Sequence, residues 1–234
     1  HPNGKGQPVD YRIGHHYHKK HIFDHNDVDV FMHSWSTDFE EELVQIYKPK
    51  KHIIEPQIEF NQGSLRKDSI KSRWYSNKIS IELKRQYEVE NDFEYDFVMV
   101  YRFDHILQKD LIFSNYDPNR FYASHRDDCT PNSCKCIGNS RYYDAWFFSN
   151  SSNMDKFSSL YDNWEHYNLN DPHKDCVHHI NVMGLSPKLK FMLYEKKDHF
   201  TVRSRIKNCE YKPEFDVNKL EFFDSHNFER HKWV

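Results

Sequence analysis

Between His15 and Phe103 six segments alternate helix, strand, helix, strand, helix, strand, and this order restricts the fold more than any other feature of the chain. Residues 15–23 are rich in His and Lys, with Ile13, Tyr17 and His21 at helical spacing. "DVDVFMHSW" (27–35) reads as a strand. "STDFEEELVQIYKP" (36–49) reads as a helix: Ser36 or Thr37 can cap it, Glu40 and Glu41 fall in its first turn, and Pro49 stops it. "KHIIEP" (51–56) is a short strand and 57–72 a polar loop. From Trp74 to Glu90, Tyr75, Ile79, Leu83 and Tyr87 recur at every fourth position, which predicts an amphipathic helix. The apolar run Phe97 to Tyr101 then gives a buried strand over 96–103. Such alternation predicts an α/β fold with a parallel sheet covered by helices on both faces.

The second half is less regular. Short strands are expected at 111–113 and 121–124, and a longer apolar one at 141–149. Residues 152–167 read as a helix with Met154, Phe157, Leu160, Tyr161, Trp164 and Tyr167 on one face, a pattern of core rather than of a ligand box. A further helix over 173–184 ends at Gly184, and strands follow at 188–193 and 199–204. There is no repeat, linker or low-complexity tract. At ~100–200 residues per domain the 234 residues are expected to form one domain.

Composition removes several classes of function. A net charge of −3 gives no global basic field for nucleic acid. An aromatic share of 16% argues against disorder. No run approaches the ~18 apolar residues of a membrane span. The five cysteines, Cys129, Cys134, Cys136, Cys176 and Cys209, are odd in number and accompany no visible signal peptide. That combination favours reduced thiols and a cytoplasmic location. The C-x4-C-x-C spacing of "CTPNSCKC" (129–136) matches no common structural zinc pattern, so a polar surface loop is the preferred reading over a zinc knuckle with His125. The chain opens on the Gly-containing stretch "HPNGKGQPVD" with no strand before it. An α/β domain usually begins with an apolar strand feeding such a loop, so a first strand upstream of His1 is expected.

Chemistry is expected where the strand over 96–103 stops. Arg102 and Asp104 end an apolar run, and in open α/β sheets ligands bind outside the carboxyl ends of strands. Asp104 suits a divalent cation on a phosphate, since hard cations prefer oxygen ligands. Arg102 suits phosphate oxygens through its forked geometry. A structural Arg102–Asp104 pair explains the same spacing. Arg73, Ser76 and Lys78 fall at the expected start of the long helix, where a cation, a hydroxyl and free N–H groups make an anion or ribose site; a solvated, capped helix end is the alternative. Asp144 sits inside "YYDAWFF", where burial would raise its pKa and suit a general base, with Tyr142, Tyr143 and Trp146 available to stack on a sugar face. The alternative is a buried carboxylate bonded to backbone.

"YDFVMVYRFDHIL" resembles the strand-plus-acid segment of nucleotide-sugar-dependent glycosyltransferases of the GT-A fold, whose motif is Asp-x-Asp or a degenerate form of it. "DVDVFMHSW" looks like the second strand of a subgroup common in large DNA viruses, phages and microbes. "YSNKISIELKRQYEVENDFEYD" resembles its long helix, "RYYDAWFFSNSSNMDKFSSLYDN" its later Asp-strand-helix segment, and "HPNG" the end of its first nucleotide-binding loop. The similarity spans roughly residues 1–205 and lies in order and spacing. It implies a GT-A, Rossmann-like sheet with a nucleotide-binding half at about 1–110 and an acceptor half at about 111–234. It further implies a hexosyl- or pentosyltransferase that takes a nucleoside diphosphate sugar donor and a glycan acceptor. Asp104 would hold Mn2+ or Mg2+ on the diphosphate, with Gly4, Arg73, Ser76, Lys78 and Arg102 on the donor and Asp144 as the acceptor-side catalytic residue. The host cytoplasm is the expected location if the chain is viral. One departure stands out: Arg102 occupies the place of the first acid. That departure also allows a second reading, an inactive relative that binds nucleotide sugar or glycan.

The 17 histidines suggest a third reading, a metal-dependent hydrolase built on His15 and His18. No H-E-x-x-H pattern supports it. His173, His178 or His179 could supply a late metal ligand.

Overall fold

The computed structural model describes residues 10–125, 142–167, 169–194, 198–202, 221–223 and 230–232. The chain is mixed α/β. Helix α1 (Tyr11–His21) is capped by the Asp10 side chain, which accepts from Arg12 N, and therefore starts earlier than the His-rich segment suggests. Strand β1 (Phe31–Ser34), helix α2 (Glu40–Tyr47) and strand β2 (Lys51–Ile54) follow in the expected order. β1 and β2 pair in parallel, Phe31 opposite Lys51 and Ser34 opposite Ile54. Lys48 ends α2 in the left-handed region just before Pro49.

Helix α3 (Leu65–Asn91) is longer than its apolar spacing predicts. The Ser64 hydroxyl accepts from Lys67 N and opens the helix inside the stretch expected to be loop. Of the Tyr75–Tyr87 stripe only Leu83 is buried. Ile70, Trp74, Ile81, Leu83, Lys84 and Glu88 are buried, because α3 packs on β1 and β2 along one flank and on two later helices along another. Lys84 is buried inside the helix face, with Glu88 Oε2 at 2.8 Å and Asp155 Oδ1 at 2.7 Å. That pairing lets a lysine occupy a core position.

Strand β3 (Val98–Tyr101) carries the apolar run, and β4 (His105–Leu107) comes directly after it. Residues 111–113 are not a strand; a 3-10 turn at Phe113–Asn115 lies there, and the strand falls on 105–107 instead. Strands β5 (Phe121–His125), β6 (Tyr143–Ser149) and β7 (Leu189–Tyr194) lie where expected. Helices α4 (Ser151–Ser158) and α5 (Leu160–Tyr167) replace the single helix expected over 152–167, and the two are parted at Ser159. Helix α6 (Pro172–Val182) ends before Gly184, whose φ of 68° needs a residue without a Cβ penalty. Strand β8 (His199–Thr201) pairs with β4, and β9 (Glu221–Phe223) pairs antiparallel with β10 (Arg230–Lys232).

The main sheet has the order β3-β6-β5-β7. It is mixed, not parallel: β6 runs antiparallel to β3 and β5, while β5 and β7 are parallel. The alternation that predicts parallel pairing ends at β3, and the second-half strands obey no such constraint. β6 lies inside the sheet with every residue buried, so its apolar run continues through both faces. Its Phe147 packs with Trp74, Met154, Phe157 and Ile180 on one side; Trp146 and Phe148 join Ile22, Leu107 and Tyr122 on the other. Burying each such aromatic is worth ~1.5–3 kcal/mol. Among the described residues no helix is long and apolar enough to cross a membrane.

Candidate functional site

The carboxyl end of β3 opens into a cavity of about 1300 Å3. Four charged side chains meet there. Arg102 and Asp104 form a two-pronged pair: Nε donates to Oδ1 at 2.7 Å and Nη2 to Oδ2 at 2.6 Å. The geometry uses two of the five guanidinium N–H groups and both carboxylate oxygens. Burial opposes the Arg102 charge, but Asp104 outweighs it and holds the guanidinium above its ordinary pKa. Arg73, on α3, reaches across to β6 and places Nη1 2.9 Å from Asp144 Oδ2. The contact is an ion pair and not an aligned hydrogen bond, since Nε and Nη1 of Arg73 are buried without hydrogen-bond partners among the described residues. Burial lowers the Arg73 pKa, and Asp144 works against that loss. His173, at the start of α6, donates from Nδ1 to the carbonyl of Tyr142 at 2.8 Å and lies 3.3 Å from Asp144 Oδ1.

A second group lies at the ends of β1 and β2, where His33, Trp35 and Ser76 line the cavity and Glu55 and Tyr75 contact them. Buried His33 sets Nδ1 2.9 Å from Ser76 Oγ and Nε2 3.2 Å from Glu55 Oε1. Tyr75 donates its hydroxyl to the same Glu55 oxygen at 3.1 Å, and its ring stacks on Trp35 at 5.3 Å. Burial lowers the His33 pKa, which Glu55 partly offsets.

The structure thus brings together Arg73, Ser76, Arg102, Asp104 and Asp144 around one cavity. Lys78 does not join them: it pairs with Asp162 at 2.6 Å on the outer side of α3. Arg73, Ser76 and Lys78 also do not mark a helix start, because α3 begins at Leu65. The free N–H groups and the dipole effect belong to the first turn, so these residues act through their side chains alone. Gly4 and the Cys129–Cys136 loop lie outside the described residues. Cys176 is buried and free. His33, Glu55, Trp35 and Tyr75 were not legible as a site. The only hint was a histidine at the end of the apolar run "DVFMHSW".

The donor set does not fit a divalent cation as it stands. Both oxygens of Asp104 are engaged by Arg102, and Asp144 faces Arg73. Among the described residues no three His, Cys, Asp or Glu side chains converge as metal ligands. His15 and His18 do not form a metal pair either: His18 donates to the His105 carbonyl and accepts from Tyr47. No family model matches the chain, and no curated protein matches it.

Proposed function

We propose that the protein is a glycosyltransferase of GT-A type that moves a sugar from a nucleoside diphosphate to a glycan hydroxyl. The observation that carries the reading is the meeting of Arg73, Arg102, Asp104 and Asp144 at the carboxyl end of β3, on the rim of a large cavity. Two guanidiniums supply the positive charge that a diphosphate leaving group requires. Asp104 fixes the plane of Arg102, so the remaining N–H groups are aimed in advance. Trp35, stacked on Tyr75, together with Ser76 and with His33, held by Glu55, supplies aromatic surface and hydrogen-bonding groups suited to a nucleoside. Asp144 takes the proton as the acceptor oxygen bonds to the anomeric carbon and the carbon–phosphate oxygen bond breaks. Positive charge on the diphosphate thus rests with the arginines rather than with Mn2+ or Mg2+ on Asp104.

The test is turnover of labelled nucleoside diphosphate sugars with a panel of glycan acceptors, for the wild type and Arg102→Gln. Sugar transfer that Arg102→Gln abolishes is expected. Tight nucleotide-sugar binding without transfer to any acceptor supports instead the inactive relative, a reading favoured by Arg102 standing where the family has an acid. No binding of any donor contradicts both.

A further inference from the structure

The cluster at the ends of β1 and β2 holds its protons in an order that binding a nucleoside does not require. Three elements bring it together. His33 stands near the end of β1, and Ser76 on the face of α3 that meets it. Glu55 follows β2, where its N–H donates to the Ser34 carbonyl at 3.1 Å and extends the β1–β2 pairing by one residue. Ser76 Oγ lies 2.9 Å from His33 Nδ1, and His33 Nε2 lies 3.2 Å from Glu55 Oε1. The imidazole is therefore bracketed by a hydroxyl on one nitrogen and a carboxyl group on the other. Hydroxyl, base and orienting acid in that order are what activates a serine. His33 and Ser76 line the cavity, and Glu55 stands behind the ring.

The placement of the protons follows from the partners. A carboxylate accepts and does not donate, and Glu55 Oε1 already takes the Tyr75 hydroxyl at 3.1 Å. Nε2 is then the donor to Glu55, which leaves Nδ1 with its lone pair toward Ser76. The Ser76 hydroxyl has one proton and two acceptors, Nδ1 at 2.9 Å and the Ser72 carbonyl at 3.1 Å, so rotation about one bond puts the proton on the line to His33. The ring itself is fixed: Trp35 meets it edge-on at 4.5 Å and Tyr75 at 5.4 Å. Burial holds the imidazole below its ordinary pKa, in the neutral form that can take a proton. Asn77, next to Ser76 on α3, lines the same cavity, and its Nδ2 is buried without a hydrogen-bond partner among the described residues. A spare N–H beside a nucleophile is what a developing oxyanion requires.

We propose that Ser76, His33 and Glu55 form a second catalytic site, one that hydrolyses carboxylic esters. Ser76 Oγ bonds to the ester carbonyl carbon while its proton passes to His33 Nδ1, and the carbonyl oxygen takes up negative charge beside Asn77 Nδ2. As that oxygen re-forms its double bond, the alcohol oxygen leaves with the proton from Nδ1. Water then attacks the acyl-serine and gives a proton to Nδ1, and Ser76 Oγ departs with it, so one ester and one water become one acid and one alcohol. Glu55 holds the Nε2–H and stabilises the imidazolium that forms in each half of the reaction. With one spare oxyanion donor in place, an ester is the substrate class that fits, since its alcohol leaves more readily than the amine of an amide. The activity goes beyond sugar transfer and does not depend on it.

The test is labelling with a fluorophosphonate, read by peptide mass spectrometry, together with release of p-nitrophenol from p-nitrophenyl acetate. The wild type should take its label on Ser76 and show a burst of about one equivalent of p-nitrophenol per chain, as acyl-enzyme accumulates. Ser76→Ala should lose both, and His33→Gln should slow both by ~10²–10⁴-fold. The labelling rate should rise with pH through a single midpoint below ~6.5, the ordinary value of a histidine, because burial lowers that of His33. Ser76→Cys reports on His33 even where Ser76→Ala disturbs the fold. The thiol it introduces should react with iodoacetamide at least ~10-fold faster than in the double variant Ser76→Cys/His33→Gln, since an adjacent base draws off its proton. No label on Ser76, a burst that survives Ser76→Ala, or equal thiol reactivity with and without His33 would overturn the ester site, whatever the donor-turnover assays show.

Discussion

Asp144 is tied to Arg73, and that tie decides what its replacement does. Asp144→Asn removes the base, and general-base help is typically worth ~10²–10⁴-fold, so transfer should fall by about that factor. It also leaves the buried Arg73 charge without its carboxylate. Breaking one side of a buried pair costs ~3–5 kcal/mol, which a lower urea midpoint at constant slope would report. The double variant Arg73→Met/Asp144→Leu should regain most of the stability and none of the transfer, because a buried pair is often replaceable by apolar residues. Full stability in Asp144→Asn would show that the ion pair does not support the fold. Gly14 offers a test of opposite sign. In a helix interior Gly→Ala usually gains ~1 kcal/mol. Here the added Cβ would fall 1.8 Å from the Phe103 carbonyl oxygen, holding α1 off the loop that carries Asp104. Gly14→Ala should therefore destabilise by ~1–3 kcal/mol, as overpacking does. A melting temperature at or above the wild type would contradict the close approach. The sequence put forward Arg73, Arg102, Asp104 and Asp144 as candidates but gave no sign that Arg73 pairs with Asp144. Arg102 and Asp104 are two residues apart, so their pairing was one of the readings open from the start. Arg73 and Asp144 are separated by most of α3 and all of β3, β4 and β5, and no local pattern records that contact.

At the scale of elements, β4, β5 and β8 are joined to α1 by a buried relay of neutral histidines. His199 Nε2 bonds to Ser124 Oγ and its Nδ1 meets His105 Nε2 at 3.0 Å; His105 Nδ1 reaches Thr201 at 3.1 Å; His18 donates to the His105 carbonyl at 2.8 Å. Burial lowers all three pKa values: His18 to about 4, His199 to about 3, and His105 well below its ordinary value, where His199 adds to the effect. The unfolded chain keeps the ordinary value of ~6.5. Below that pH the unfolded state binds protons that the folded state refuses. Stability is then full above pH ~6.5 and falls as the pH drops toward 4, by ~1.4 kcal/mol per pH unit for each such histidine. Urea midpoints between pH 7 and 5 should show this slope, and His199→Gln should make it shallower; a flat profile would contradict the relay. The element order of the first half was legible because each helix carries its own period and cap. The start of α3 was not. Its first turns are held by the Ser64 cap and by tertiary contacts, without an apolar stripe of their own. The break at Ser159 left no signal either, since Met154, Phe157, Leu160 and Trp164 keep helical spacing across it and stay buried.

For the whole molecule, hydrophobic pattern predicts that a strand is buried but not which neighbour it takes. "YYDAWFF" reads as an apolar strand and is buried throughout, yet its antiparallel pairing to β3 and β5 depends on how the second half folds back. The mixed sheet nevertheless presents the carboxyl end of β3 to a cavity, as open α/β sheets do, and this placement is the basis of the functional reading. The most direct test is calorimetric titration of a panel of nucleoside diphosphates into the wild type and into Arg102→Gln, each in EDTA and in Mn2+. One nucleoside diphosphate should bind the wild type in EDTA, and Arg102→Gln should weaken it at least ~10-fold, a loss of ~1.4 kcal/mol or more. Binding that appears only with Mn2+ would return Asp104 to the role of metal ligand and take the charge from the arginines. Absence of binding in both buffers, or equal affinity in Arg102→Gln, would contradict a diphosphate site at the end of β3.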